Sequence, residues 1–292
     1  MAYIIYTDTS TNLPVRMTEP FGVKVIPFSY IIDDVPYSCM DIEAFDGHGY
    51  YDSIRNGKKI NTSQITPQLY IDNMEDDLKA GYDIIFISMS SGISGSYNSA
   101  EAAAKMLKED YPERKILTVD TRCASLAEGI VVRRAIELKA QGMEIEELQK
   151  ELLDLSERVY QVFTVDDLMH LMRTGRVSNV TAVVGTLLNI KPLLKGNELG
   201  QIVQLGKVRG RAKSLQGVAD KYAELVCNPE EQTVYIAHTD CYDDAKKLAD
   251  LLNEKRPPKE IEIVMYEPVT GAHVGPGAVA LFFVASKGDR SR

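Results

Sequence analysis

The fold is decided by the run Asp83-Ile84-Ile85-Phe86-Ile87-Ser88, which continues directly into Met89-Ser90-Ser91-Gly92-Ile93-Ser94-Gly95-Ser96-Tyr97. The first segment is apolar at consecutive positions, which is typical of a strand buried on both faces of a sheet. The second segment is rich in serine and glycine and leads into a helical pattern over residues 97–108. A buried strand, a tight polar loop and a helix in this order form the repeating unit of an α/β fold.

The same alternation of strand and helix continues on both sides of this segment. Further strands are predicted at residues 3–7, 23–28, 116–119, 160–164, 187–194, 202–205, 234–237 and 261–266. Helices are predicted at residues 67–79, 125–140, 144–157, 165–172, 212–226 and 243–254. We therefore predict two α/β domains, residues 1–157 and 158–292, with a parallel-rich sheet in the first and a mixed sheet in the second.

Composition excludes several classes of protein. Of the 292 residues, 45% are hydrophobic and 26% are charged, as in ordinary soluble proteins. A net charge of −9 disfavours nucleic-acid binding. The longest apolar run, residues 278–285, is much shorter than the roughly 20 residues that span a bilayer, so no stable membrane insertion is expected. The amino terminus lacks a secretory pattern and the four cysteines form no CxxC pair, so we expect a cytoplasmic protein.

The serine–glycine loop, residues 88–96, is the strongest candidate for a binding site. Five of its nine residues are serines, and a single helix N-cap explains only one of them. Hydroxyl groups and free backbone N–H groups at the start of a helix bind anions. The loop therefore predicts an anion site.

A serine hydrolase remains open as an alternative interpretation of the same residues. The segment Gly92-Ile93-Ser94-Gly95-Ser96 differs only in its last residue from the nucleophile elbow G-x-S-x-G, and its strand–turn–helix context is correct. Ser94 would be the nucleophile and His273 the base, with Asp120 or Asp240 orienting the imidazole.

Three further loops combine hydroxyl groups with the ends of predicted strands or the start of a helix. They are residues 8–14, residues 61–67 and residues 120–125. Ligands of open α/β sheets bind outside the carboxyl ends of the strands. We therefore expect a polar crevice along one sheet edge, with Asp8, Ser63 and Ser125 among its members and Thr62 beside Ser63.

His273 is the most informative of the four histidines. It stands in Gly271-Ala272-His273-Val274-Gly275-Pro276-Gly277, which predicts an imidazole held in a glycine-rich loop before an apolar helix. Such an imidazole can donate a hydrogen bond to a carboxylate. The sequence contains no HExxH motif, no dinucleotide-binding G-x-G-x-x-G motif after a strand and no P-loop, so we expect no metal and no cofactor.

Basic residues are concentrated between Arg173 and Lys213. This stretch contains eight lysines or arginines and a single acidic residue, Glu198, in a chain with an overall negative charge. Such a stretch has two equally good explanations. It is either an ordinary solvated surface or a docking surface for an acidic or phosphorylated partner.

Six motifs follow one another along the chain: residues 7–10, residues 62–64, residues 90–97, residues 120–125, residues 168–178 with residues 187–192, and residues 273–278. Together they resemble the motifs of the DegV family of bacterial fatty-acid-binding proteins. The resemblance extends over essentially the whole chain. Asn12 and the segment Arg173-Thr174-Gly175-Arg176 depart from the usual family pattern, and residues 41–59 match it loosely.

The resemblance implies a long-chain fatty acid buried between two α/β domains. The positions that match the family's carboxylate ligands are Thr62, Ser94 and His273, with Gly95 beside Ser94. The acyl chain would occupy an apolar tunnel, where each buried CH₂ group contributes roughly 0.8 kcal/mol. The chain would thus be a lipid-binding protein rather than an enzyme.

The family also includes the binding subunits of fatty acid kinase, in which a separate ATP-dependent subunit phosphorylates the fatty-acid carboxylate. This role implies a kinase partner and a place in phospholipid metabolism. The docking arginine of the family matches Arg173, and we extend the expected docking surface to Arg176, Arg209 and Arg211.

Overall fold

The chain passes between two units at three points. The structure, a computed structural model, describes residues 2–178 and 189–291. The first unit consists of Met1–Phe45 and Ile60–Glu157, and the second of Asp46–Lys59 and Arg158–Arg292. Residues 46–59, which the sequence analysis includes in the first domain, therefore pack with the second unit.

The first unit is built on a parallel sheet of four strands, β1 (Tyr3–Asp8), β2 (Lys24–Ile26), β6 (Asp83–Ser88) and β7 (Ile116–Asp120). Their order in the sheet is β2-β1-β6-β7. A small antiparallel sheet in the order β4-β3-β5 contains β3 (Ser29–Ile32), β4 (Val35–Tyr37) and β5 (Asn61–Ser63). Its helices are α2 (Pro67–Lys79), α3 (Ser96–Asp110), α4 (Leu126–Ala140) and α5 (Ile145–Ser156).

The fully buried strand β6 lies at the centre of this unit, as its apolar sequence predicts. Ile84 pairs with Ile4 of β1 on one side and with Ile116 of β7 on the other. Tyr70 of α2 packs edge-on against Phe86, with ring centroids 4.9 Å apart. Because β1, β6 and β7 run in the same direction, their carboxyl ends and the polar loops that follow lie at one edge of the sheet.

The second unit contains a mixed sheet whose strands are β8 (Val159–Thr164), β9 (Val177–Ser178), β10 (Ile190–Gly196), β11 (Ile202–Arg209), β12 (Thr233–His238), β13 (Glu260–Met265) and β14 (Val279–Val284). Their order in the sheet is β13-β12-β14-β8-β10-β11-β9. Its helices are α1 (Gly47–Arg55), α6 (Leu168–Arg173), α7 (Arg211–Leu225), α8 (Tyr242–Lys255) and α9 (Pro268–Val274). The predicted fold class, two α/β units with a parallel and a mixed sheet, is confirmed.

Helix α1 is fixed to the second unit by two tyrosines. The Tyr51 hydroxyl donates a 2.7 Å hydrogen bond to the carbonyl of Tyr266, and the Tyr50 hydroxyl donates one of 2.7 Å to the carbonyl of Pro268. Tyr51 is fully buried. A Cβ atom added at Gly271 of α9 would overlap the Tyr51 hydroxyl, so glycine is required there for the close approach of the two helices.

One predicted element is wrong. An apolar helix is expected after Gly277, whereas residues 279–284 form strand β14 between β12 and β8. A short apolar run cannot be assigned to helix or strand from its periodicity alone. Residues 279–284 are a strand because they pair with antiparallel strands on both sides. The start of the predicted strand at residues 187–188 lies outside the described residues.

Candidate functional site

The serine–glycine loop is held in shape by the end of the neighbouring strand β7. Ser91 donates from its backbone N to Asp120 Oδ1 at 3.1 Å and from its hydroxyl to Asp120 Oδ2 at 2.6 Å. Within the loop, the backbone N of Gly92 donates to the Ser90 hydroxyl at 3.0 Å. Asp120 therefore fixes the first half of the loop.

Ser94 lies half-buried immediately before helix α3. Its hydroxyl donates to Ser96 Oγ at 3.0 Å and accepts from the backbone N of Ser96 at 3.2 Å. Ser96 Oγ in turn accepts from the backbone N of Ile65 at 3.2 Å. Since a hydroxyl group rotates freely, Ser94 can turn its proton towards a bound anion while still accepting from Ser96 N.

The segment that contains Thr62 runs beside this loop. Gln64 donates from Nε2 to the Ser99 hydroxyl at 3.4 Å, and a Cβ atom at Gly95 would overlap Gln64 Oε1. Thr62 itself is half-buried in β5, opposite Tyr30 of β3. The structure therefore places the hydroxyl-rich segment 62–65 and the loop residues 94–96 side by side in the first unit.

The predicted crevice residues have different environments. Ser63 is exposed, whereas Asp8 is fully buried and Ser125 is 1% exposed. Ser125 precedes α4 with a φ of 56°, and Asn12, after the Asp8 turn, has a φ of 57°. Left-handed backbone at non-glycine residues is uncommon, and strained residues concentrate near functional sites.

His273 lies in helix α9 of the second unit rather than in a loop. Burial, together with the positive charges of Arg176 and His170, lowers the pKa of His273 to about 4. The imidazole is therefore uncharged at neutral pH and can donate one hydrogen bond. Arg176 adds a positive potential that favours an anion beside this ring.

The four arginines of the expected docking surface differ in exposure. The Arg173 side chain is 64% exposed and lies 3.4 Å from Asp167, while Arg176 and Arg209 are also exposed. The Arg211 side chain is only 20% exposed and pairs with Asp244 at 2.8 Å. Lys195, another member of the basic stretch, is buried and donates to the carbonyl of Arg290 at 2.7 Å.

The two carboxylates proposed to orient the imidazole in the hydrolase alternative have other partners. Asp120 accepts hydrogen bonds from Ser91, and Asp240 contacts Arg55 at 2.5 Å and His48 at 3.1 Å. Each candidate orienting carboxylate thus has a structural role of its own.

The described ranges contain neither a candidate metal site nor a candidate membrane-spanning helix. No group of three or more His, Cys, Asp or Glu side chains among residues 2–178 and 189–291 is arranged to hold a metal ion. In that same part of the chain, no helix is long and apolar enough to cross a membrane.

Comparison with known families agrees with the motifs. The family model described as "Uncharacterised protein, DegV family" matches residues 3–286. The chain belongs to the DegV family. A DegV domain-containing protein of Clostridium perfringens is 36% identical over 282 residues, which cover 97% of each chain. The resemblance inferred from the six motifs is therefore confirmed.

Solved structures of DegV family proteins have the same fold. A Ruminococcus gnavus protein of this family, refined with vaccenic acid, has a TM-score of 0.87 and 25% identity over 97% of this chain and 99% of its own. A Thermus thermophilus protein of the family, reported for its fatty acid binding, has a TM-score of 0.86 and 27% identity, covering 98% and 100%. A fatty-acid-binding family member from Streptococcus agalactiae has a TM-score of 0.85 and 30% identity, also covering 98% and 100%.

The sequence patterns did not identify Glu128, an acidic residue at the carboxyl edge of the parallel sheet in the first unit. This residue is fully buried in the first turn of α4 and accepts hydrogen bonds from the Thr7 and Ser10 hydroxyls. The available signal was an acidic residue within the otherwise apolar stretch Leu126-Ala127-Glu128-Gly129-Ile130-Val131. A charge at such a position requires buried polar partners.

Proposed function

We propose that this protein binds a long-chain fatty acid and presents it to a separate ATP-dependent kinase subunit, which converts the carboxylate into an acyl-phosphate. The observation that supports fatty-acid binding is the match over 97–98% of the chain to family members that bind fatty acids. Presentation to a kinase rests on the resemblance of the motifs to those of the binding subunits of fatty acid kinase. The protein itself would be a substrate-presenting subunit rather than an enzyme.

We assign binding of the fatty-acid carboxylate to Thr62, Ser94, Gly95 and His273. Ser94 is supported by its rotatable hydroxyl before α3, where backbone N–H groups favour negative charge. His273 is supported by its uncharged imidazole beside the positive charge of Arg176. Hydrogen bonds to a charged group contribute about 1.5–3 kcal/mol each, so few polar contacts are needed once the acyl chain is buried.

The Ser94→Ala variant is expected to retain fatty acid about 10- to 100-fold less tightly, because it removes one hydrogen bond to a carboxylate. The measurement is native mass spectrometry of the purified protein, followed by titration with a C16 or C18 fatty acid. The wild type should carry close to one fatty acid per chain. Ser291→Ala, which removes an exposed hydroxyl near the carboxyl terminus, serves as the matched control.

The same variant separates the carrier from the serine hydrolase. In a hydrolase, Ser94→Ala would abolish turnover of a long-chain p-nitrophenyl ester and leave ligand affinity largely intact. In a carrier, the affinity falls and no ester turnover exists to lose. A wild type that is empty after purification and takes up no added fatty acid would refute the proposal.

A double variant of Ser94 and His273 tests whether both residues bind the same carboxylate. If they do, the binding free energy that the double variant loses should be less than the sum of the two single losses.

Charge reversal at Arg173 is expected to reduce acyl-phosphate formation by the kinase subunit at least tenfold. The reason is that an exposed arginine at a docking surface contributes through charge complementarity with its partner. Fatty-acid occupancy of Arg173→Glu should equal that of the wild type. Lys246→Glu makes the same change of charge at an exposed site on α8, outside the basic stretch, and should leave turnover unchanged. Equal turnover of the two variants would show that docking does not involve Arg173.

A further inference from the structure

Two acidic side chains lie together inside the first unit, and the proposed carboxylate site does not use them. Asp8 is the last residue of β1, and Glu128 lies in the first turn of α4. Both side chains are fully buried. Burying one carboxylate is costly, and burying two as neighbours requires a compensating arrangement.

The Ser10 hydroxyl bridges the two acids. Its Oγ is hydrogen-bonded to Asp8 Oδ1 and lies 2.9 Å from Glu128 Oε2. Asp8 Oδ1 also accepts from the backbone N of Ser10 at 2.9 Å, and Glu128 Oε1 accepts from the Thr7 hydroxyl at 3.0 Å. The three oxygens Asp8 Oδ1, Ser10 Oγ and Glu128 Oε2 are thus joined by two hydrogen bonds.

The Ser10 hydroxyl carries a single hydrogen, which is either donated to one carboxylate or divided between both. If both acids were ionised, this one hydrogen would have to serve two adjacent buried negative charges. If one acid keeps its proton, its carboxyl group donates to Ser10 Oγ and the hydroxyl donates to the other carboxylate, so both hydrogen bonds are complete and one buried charge is removed. We propose that Asp8 and Glu128 share a single proton across the Ser10 hydroxyl, so that the buried pair carries one negative charge instead of two.

The surroundings of the pair support this assignment. Burial raises the pKa of Asp8 to about 6, against the opposing effect of hydrogen bonds from Ser10 and from the backbone of Met89. The other titratable groups that face Asp8 are Glu128 from α4 and Tyr70 from α2, and burial together with both acids raises the pKa of Tyr70. In the described residues, Asp8 forms no ion pair with a lysine or arginine. Glu128 lies at the positive end of α4, which favours the charge on Glu128 and the proton on Asp8.

The pair is connected to the serine–glycine loop. Met89, whose backbone helps to lower the pKa of Asp8 against the effect of burial, directly precedes Ser90. Loss of the shared proton adds a second buried negative charge at this end of the sheet. The first unit therefore contains a group whose charge changes near neutral pH next to a loop that is a candidate anion site, whatever ligand that loop binds.

The Asp8→Asn variant tests the shared proton, because its amide N–H replaces the carboxyl proton towards Ser10. A carboxyl group whose pKa is raised on folding stabilises the fold at low pH, and this contribution is lost as pH rises from its unfolded value of 3.8 towards about 6. Between pH 4 and 7 the folding equilibrium constant of the wild type should therefore fall about a hundredfold relative to that of Asp8→Asn. The measurement is urea unfolding at each pH. Asp46→Asn, which changes an exposed capping carboxylate, should follow the wild type.

Parallel pH profiles of the wild type and Asp8→Asn would overturn the proposal. If Asp8→Asn does not fold, Glu128→Gln supplies the same amide N–H from the other side of Ser10 and should show the same loss of pH dependence. Infrared spectra of wild-type protein with ¹³C-labelled aspartate side chains test the proton directly. The carbonyl band of a buried protonated aspartate should be present at pH 5 and absent at pH 8, and its absence at pH 5 would refute the shared proton.

Discussion

Replacing Gly271 by alanine is expected to destabilise the second unit by about 3 kcal/mol, because overpacking of a closed core costs typically 1–3 kcal/mol and a hydrogen bond is lost with it. The new Cβ atom would overlap the Tyr51 hydroxyl and lie 2.8 Å from Cζ of the same ring. Tyr51 is fully buried and bonded to the carbonyl of Tyr266, so the ring cannot move without displacing helix α1.

Urea unfolding followed by circular dichroism measures this loss. Gly206→Ala is the matched control, because a Cβ atom there meets no neighbour within 4 Å. In the double variant of Gly271→Ala and Tyr51→Phe, the hydroxyl that is overlapped is absent, so the loss should be smaller than the sum of the two single losses. Strict additivity, or a stability of Gly271→Ala equal to that of the control, would show that α1 does not depend on this contact.

Acid is expected to destabilise the second unit through two buried imidazoles. Burial, against the opposing charge of Asp240, lowers the pKa of His238 to about 4, and burial also lowers the pKa of His273 to about 4. The unfolded chain therefore takes up these protons near pH 6.5, whereas the folded chain takes them up only near pH 4. The stability contributed by each neutral ring is present above pH 6.5 and is lost as pH falls towards 4, by about 3 kcal/mol per group.

The His238→Asn variant isolates half of this effect. His238 Nδ1 accepts from the backbone N of Cys241 at 3.3 Å, and the asparagine carbonyl can accept in the same position without titrating. The loss of unfolding free energy between pH 7 and 4.5 should shrink by about 2–3 kcal/mol in this variant. Lys246→Gln, at an exposed site on α8, should keep the wild-type slope. A wild type whose stability does not fall below pH 6.5 would contradict the prediction.

Most of the regular elements could be predicted from local sequence. The apolar run 84–88, the serine–glycine loop and the helical pattern after it became β6, the candidate site and α3. The start of α2 has a local signal in Thr66 and Pro67, since Pro67 is the first helical residue and the Thr66 hydroxyl accepts from the backbone N of Leu69 at 3.3 Å. These signals are local, because a cap, a turn or a buried strand depends on residues that are close in sequence.

Other features depend on residues that are far apart in sequence. Helix α1 begins Gly-His-Gly, a weak helix former, and is stabilised by the contacts of Tyr50 and Tyr51 with the second unit. Lys195 belongs to a basic stretch by sequence, yet its ammonium group is buried against the carbonyl of Arg290 near the carboxyl terminus. Neither arrangement has a local signal.

The sequence alone determined the α/β class, the polar loops at the ends of the strands and the DegV family, because each depends on residue types at fixed short spacings. The tertiary structure alone decided that residues 46–59 join the second unit, that residues 279–284 form a strand and that Asp8 meets Glu128. The physical reason is that burial and hydrogen-bond partners are set by which elements pack together. The charge of a buried acid or histidine therefore follows from the fold and not from its neighbours in sequence.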